Sequence, residues 1–186
     1  MTPGRTAGVV LAGGLSRRMG KDKAALVLEG RTLLERMTER LRASGLGTVY
    51  ISGPGCIEDL YPGQGPLGGI YSVPVTLGDR YDRYLFVPVD MPAIEPASLA
   101  RLLAEPMGRN PVLRFGEVPM PFLLRVDARV LALMETLLQE GRGGVSVRTF
   151  QRFAGVTSLP LPAEWAQGLV NLNTPGDWLT FTGEEP

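Results

Sequence analysis

Apolar residues in this chain come in short blocks separated by glycine, proline and polar loops, and the period of each block predicts its structure. Ala7-Gly8-Val9-Val10-Leu11 has the length and β-branched character of a strand buried on both faces, and Gly13-Gly14 ends it. After a polar stretch from Ser16 to Lys23, Thr32 and Glu35 make a capping box. Leu33, Leu34, Met37 and Leu41 then recur at helical spacing, predicting a helix over Leu33 to Ser44 with Gly45 at its C-terminal cap. Strands are predicted at Thr48-Val49-Tyr50-Ile51 and at Tyr84-Leu85-Phe86-Val87, the second stopped by Pro88. Further on, Ser98 can cap a helix through Leu103, Val112 to Phe115 reads as a strand, and Asp127 can cap a helix over Val130 to Leu138 that Gly141 closes. Gly168-Leu169-Val170 leads into Asn171-Leu172-Asn173-Thr174-Pro175, where Thr174 can cap and Pro175 can open a terminal helix. This alternation predicts an α/β chain, a single-domain Rossmann-like fold over residues 1–186 with a mostly parallel sheet and helices on both faces. Function is then expected at the carboxyl ends of the strands.

Composition narrows the chemistry. A chain of 186 residues with 44% hydrophobic content can bury a real core, and its 24 glycines and 16 prolines are spread rather than gathered in one low-complexity tract. Nineteen basic residues balance nineteen acidic ones, so no strongly basic surface draws nucleic acid. The lone cysteine, Cys56, can form neither an internal disulfide nor a thiolate zinc site. Without a histidine, Ser-His-Asp and Cys-His machinery, His-ligated zinc and imidazole acid–base catalysis are all excluded. The first apolar run, Ala7 to Ala12, is too short for a signal segment or a membrane span, and a soluble, cytoplasmic protein is expected.

Two segments carry chemistry. Leu11 to Lys23 places glycines and four cations directly after the first strand, where backbone N–H groups can approach an anion and the cations neutralise it. It is not a Walker A loop, because no glycine stands five before Gly20 and Asp22 follows Lys21 where Ser or Thr is required. Lys21 and Lys23 are the only lysines, all other basic residues being arginine, and a compact ammonium suits bridging phosphate oxygens. Lys23 is the candidate phosphate contact, with Lys21 as a solvated neighbour. The one G-x-G-x-x-G string, Gly63 to Gly68, follows no convincing strand and carries Pro66, so it reads as a loop. In Pro88-Val89-Asp90-Met91-Pro92 a carboxylate stands just past an apolar strand between two prolines. Asp90 is either a turn or capping residue or a Mg²⁺ ligand, since Mg²⁺ is commonly held by one or two carboxylates together with substrate phosphates. Together the two segments describe a nucleoside triphosphate site.

Leu-Ala-Gly-Gly-x-Ser-x-Arg-Met-Gly-x-Asp-Lys at 11–23, Gly-Pro-Leu-Gly-Gly-Ile at 65–70, Pro-x-Asp-Met-Pro at 88–92 and Asn-x-Asn-Thr-Pro at 171–175 resemble the molybdenum cofactor guanylyltransferase family, in order and across nearly the whole chain. The resemblance implies that GMP passes from GTP to molybdopterin, with pyrophosphate released. It implies that Leu11, Ala12, Gly13 and Gly14 wrap the GTP and that Lys23 contacts its phosphates. Asp90 would bind Mg²⁺, Asp59 would help hold the nucleoside, and Gly65 and Gly69 would let a loop approach the ligand. Asn171 and Asn173, two of three asparagines, would lie toward the pterin, the other reading being that they shape the turn before a helix. Arg17, or the adjacent Arg18, would clamp the α-phosphate, and molybdenum-enzyme apoproteins would be transient partners.

The chain departs from the pattern in two places. Only Ser52 to Glu58 separates the second strand from Asp59, where the family has a longer segment beginning with an asparagine motif. Gly141-Arg142-Gly143-Gly144 stands where relatives often have Gly-Glu-Arg-Arg, so Arg142 or Arg148 would supply the charge. The terminal phosphate of molybdopterin is already ionised at neutral pH, which accounts for the lack of histidine, since catalysis then reduces to alignment and charge neutralisation. Two other readings are a cytidylyl- or sugar-nucleotidyltransferase with the same glycine-rich loop, and a noncatalytic adaptor that binds nucleotide and delivers cofactor.

Overall fold

A computed structural model describes residues 5–13, 22–141 and 144–184. Strand β1 (Thr6–Leu11) is followed by a 3-10 turn at Lys23–Ala25 and a small hairpin, β2 (Val27–Leu28) and β3 (Arg31–Thr32). Positive φ at Glu29 and Gly30 gives this hairpin the mirror-image turn that matches strand twist. Then come α1 (Leu33–Ala43), β4 (Val49–Ser52), α2 (Pro66–Leu77), β5 (Arg83–Pro88) and α3 (Pro96–Ala104). The remainder is β6 (Val112–Phe115), β7 (Phe122–Arg125), α4 (Ala128–Glu140), α5 (Val147–Ala154), β8 (Val156–Leu159) and α6 (Pro175–Thr182).

The caps predicted at Thr32 and Asp127 form. Thr32 Oγ1 accepts from Glu35 N at 3.1 Å while Glu35 Oε2 accepts from Thr32 N at 2.8 Å, and Asp127 Oδ1 accepts from Val130 N at 2.8 Å. Helix α3 begins at Pro96, two residues before the expected cap. Ser98 instead donates to the Glu95 carbonyl at 2.8 Å, inside the first turn.

Among the described residues six strands form one sheet, ordered β4-β1-β5-β7-β6-β8. All neighbours are parallel except β7, which runs against both β5 and β6. The mostly parallel α/β fold read from the sequence is the observed one, with a single reversed strand added. Helix α1 carries the chain from β1 to β4 on one side, and α2 carries it from β4 back across β1 to β5 on the other. Gly8 faces Leu41 of α1, while Leu11, three residues on and so on the opposite face, meets Gly69 of α2. The chain therefore diverges in both directions at the carboxyl end of β1, the kind of crevice where open α/β sheets bind ligands.

Besides the short β2–β3 hairpin, four elements escape the sequence patterns. Helix α2 hides behind Gly63 to Gly68 because its apolar residues run almost all round it and Pro74 sits inside it. Pro66 occupies its first turn and Gly65, at φ 77°, makes the preceding bend that a side chain would strain. Strands β7 and β8, four residues each, and the eight-residue α5 are too short to show a period. No strand precedes Asn171; Gln167–Leu169 is a 3-10 turn.

The reversed strand completes the core beside β5. Phe122 of β7 stacks on Phe86 of β5 with ring centroids 5.4 Å apart, both fully buried. Phe122→Ala should lower unfolding free energy by about 3–5 kcal/mol, because the ring is lost and the rigid sheet cannot close the cavity. Urea denaturation checks this, and a loss under about 1 kcal/mol would show that the strand can repack.

Candidate active site

The crevice is built from three backbone turns. Beyond β1, Ala12 N and Gly13 N both donate to the Ser52 carbonyl, at 2.8 and 2.9 Å, so the chain crosses the end of β4. Gly53 allows the crossing: a Cβ there would stand 3.1 Å from Gly13 N and 3.2 Å from the Ala12 carbonyl carbon. Beyond β5, Val89 N donates to the Leu11 carbonyl at 3.1 Å, and the Asp90 carbonyl accepts from Leu172 N at 2.8 Å, which draws the 171–174 segment onto the site.

Two cavities open from this junction and share Leu11, Gly13 and Pro66. The larger, about 610 Å³, is lined by Ser52, Gly53, Glu58, Asp59, Gly65 and Gly69. The smaller, about 280 Å³, holds Ala12, Lys23, Asp90, Met120, Val147 and Asn171. A wider cavity of about 810 Å³ lies away from the strand ends, beneath the β2–β3 hairpin and α6. Its Arg36 is already bonded to Glu29 Oε2 and the Leu28 carbonyl, whereas Lys23 and Asp90 lie at the crevice.

Lys23 and Asp90 form the polar centre. Asp22 Oδ1 accepts from Ala24 N at 3.0 Å and caps the short turn that presents Lys23. The Lys23 Nζ stands 2.7 Å from Asp90 Oδ2 and 3.1 Å from Asn173 Oδ1, and the Lys23 and Asp90 side chains are only 15% and 11% exposed. The second carboxylate oxygen, Asp90 Oδ1, is buried and has no hydrogen-bond partner among the described residues. A buried anionic oxygen left unpaired is costly, and a hard cation is the partner that satisfies it. Among the described residues no group of three or more acidic, cysteine or histidine side chains surrounds it. The donor set thus fits Mg²⁺, which keeps several waters and takes its remaining ligands from substrate phosphates.

The structure brings together most of the positions expected from the sequence. Leu11, Ala12, Gly13, Lys23, Asp90 and Asn171 meet at the smaller cavity, and Asp59, Gly65 and Gly69 at the larger. Asp59 Oδ1 accepts from Tyr61 N at 2.8 Å, and the carboxylate lies against Gly68, where any Cβ would strike it. Gly69 faces Ser52, whose Oγ donates to the Gly69 carbonyl at 3.3 Å. Asn173 differs from expectation in that its amide oxygen binds Lys23. Arg148 lines neither cavity; its Nη1 donates to the Glu117 carbonyl at 2.8 Å. Gly14, Arg17 and Arg142 lie outside the described residues.

The sequence reading passed over Ser52, Pro66, Met120 and Val147. Ser52 had a signal, its place at the end of a strand beside β1. Met120 and Val147 had none, because they arrive just before β7 and at the start of α5. Asp177 was also missed: its Oδ2 accepts from Asn173 N and Thr174 N at 2.9 and 2.8 Å. The bond with the Thr174 side chain, then these two backbone bonds, hold the Asp177 carboxyl below the usual carboxylate range.

Comparison with known proteins shows the family and the fold. Residues 8–155 match the model of the MobA-like NTP transferase domain. The chain is 38% identical over 183 residues to a molybdenum cofactor guanylyltransferase of Xanthomonas euvesicatoria, covering 96% of this chain and 95% of that one. Its fold resembles the crystal structure of molybdopterin-guanine dinucleotide biosynthesis protein A from Archaeoglobus fulgidus, with a TM-score of 0.73 at 18% identity over 95% and 97% of the two chains. A Mycobacterium tuberculosis protein crystallised with manganese shares the fold at a TM-score of 0.65 and 18% identity, over 98% and 100%. With the family model spanning most of the chain and a relative of this identity along nearly its full length, the chain belongs to the MobA-like NTP transferase family.

Proposed function

We propose that this protein transfers the guanylyl group of GTP to the terminal phosphate of molybdopterin with Mg²⁺, forming the guanine dinucleotide and releasing pyrophosphate. The observation that carries the reading is the half-paired Asp90 carboxylate beside Lys23 at the divergence of the sheet. The reaction forms one bond, from an acceptor phosphate oxygen to the α-phosphorus, and breaks the bond to the β-phosphate bridging oxygen. Neither step needs a strong base, because the acceptor oxygen is already ionised.

Each residue then has a task. The larger cavity, beside Asp59 and Ser52, takes the nucleoside, and the Ala12-Gly13 turn and the first turn of α2 face its phosphates. Lys23 neutralises charge on those phosphates, while Asp90 Oδ1 is the metal ligand. Bound Mg²⁺ would withdraw charge from the phosphates as pyrophosphate departs. Arg17 supplies a further clamp, and Asn171, with Met120 and Val147, forms the acceptor side of the smaller cavity. Among the described residues no helix is long and apolar enough to cross a membrane, and a cytoplasmic enzyme handing its product to molybdenum-enzyme apoproteins is the setting this chemistry suits.

Asp90→Asn should keep the fold, checked by circular dichroism, and abolish metal-dependent pyrophosphate release, since the amide keeps the shape and lacks the charge a hard cation needs. Lys23→Ala should lose roughly a hundredfold in kcat, and Lys21→Ala far less. Near-normal turnover by Asp90→Asn would place the metal elsewhere. On the acceptor side, Asn171→Ala should raise KM for molybdopterin about tenfold and leave GTP binding unchanged, as expected for one lost hydrogen bond. Separate titrations of the two substrates decide this, and a selective loss of GTP affinity would move Asn171 to the nucleotide side.

A further inference from the structure

Lys23 has two anchors of different kinds. Asp90 holds its ammonium by charge, at 2.7 Å, and Asn173 holds it by a neutral amide oxygen, at 3.1 Å. A divalent cation arriving at Asp90 weakens the first anchor, because it repels the ammonium and competes for the same carboxylate. The neutral amide loses nothing in that exchange, provided it stays in place. Asn173 is itself exposed, and an exposed amide side chain has no reason to remain there unless its backbone is fixed. It is fixed on both sides. Leu172 N donates to the Asp90 carbonyl at 2.8 Å, and Asp177 Oδ2 takes the N–H groups of both Asn173 and Thr174.

We propose that Asp177 is a positioning residue: by clamping the Asn173 backbone it keeps Lys23 beside the cleft when Asp90 turns to a divalent cation. This rests on the reading of Asp90 as the metal ligand. Asp177 stands in the third position of α6, where the helix dipole favours its negative charge, and it also feels the positive charge of Lys23. A role limited to capping α6 is the rival account. Thr174 separates the two, since its Oγ1 caps the same helix by accepting from Asp177 N at 3.1 Å, whereas the Asn173 N–H is held by the Asp177 carboxylate itself.

The chain's two lysines make the test direct. In protein labelled with carbon-13 lysine only two sets of side-chain signals appear, and Lys21→Arg identifies that of Lys23. In the unsubstituted protein the Lys23 signal should stay apart from the free-lysine position both without metal and at saturating Mg²⁺. In Asp177→Ala it should stay apart without metal and move to the free-lysine position with Mg²⁺. The Asp90 backbone amide reports metal binding in the same samples. An identical Lys23 response in both proteins overturns the positioning role, whereas an Asp90 amide untouched by Mg²⁺ overturns the metal assignment and this proposal with it. Kinetics give an independent arm. Asp177→Ala should lower kcat about tenfold with KM for GTP unchanged, and the effect should vanish in a Lys23→Ala background. Thr174→Ala should lower the melting temperature as much and change kcat less than about threefold; equal kcat losses in Thr174→Ala and Asp177→Ala would reduce Asp177 to a cap.

Discussion

One carboxylate, half paired, organises this site. Asp90 gives one oxygen to Lys23 and leaves the other buried without a partner among the described residues. The constraint comes from the sheet. Strand β5 pairs along the whole of β1, Val89 is tied to the Leu11 carbonyl, and the Asp90 carbonyl is tied to Leu172. The Asp90 backbone is therefore held at the crevice, and a hard cation that reaches the unpaired oxygen removes a cost instead of imposing one.

The same constraint explains how a protein with no histidine can run a transfer reaction. The acceptor brings its own ionised oxygen, so the protein need only hold two anionic substrates together and lower their mutual repulsion. That work divides along the crevice. In the proposed reaction the close backbone turns at Ala12-Gly13 and Gly53 would face the phosphates and the cavity beside Asp59 would take the nucleoside, with the Lys23 and Asp90 pair between them.

Much of this was legible in the sequence where local rules and tertiary demands coincide. The buried strands β1 and β5, the capping box at Thr32 and the caps at Thr174 and Asp127 all appear where patterning and side-chain chemistry place them. The positions of Lys23 and Asp90 followed from the same logic, because loops at strand ends carry function. What was not legible depends on distant contacts. Helix α2 is buried nearly all round, so its pattern has no polar face to mark a period. Strand β7 is preceded by Pro119 and Pro121 and gains its identity only by pairing between β5 and β6. Asn173 shows the limit most clearly, since a residue 150 positions from Lys23 becomes its hydrogen-bond partner through a fold that no local pattern encodes.

The central claim is that the crevice joins a guanylyl group to a pterin phosphate, and pyrophosphate release measured with each of GTP, CTP, ATP and UTP tests it most directly. With Mg²⁺ and molybdopterin present, the account predicts release from GTP alone, one pyrophosphate for each guanine dinucleotide formed, and none when molybdopterin is left out. Equal release from CTP, or binding of GTP with no pyrophosphate under any of these conditions, would contradict it.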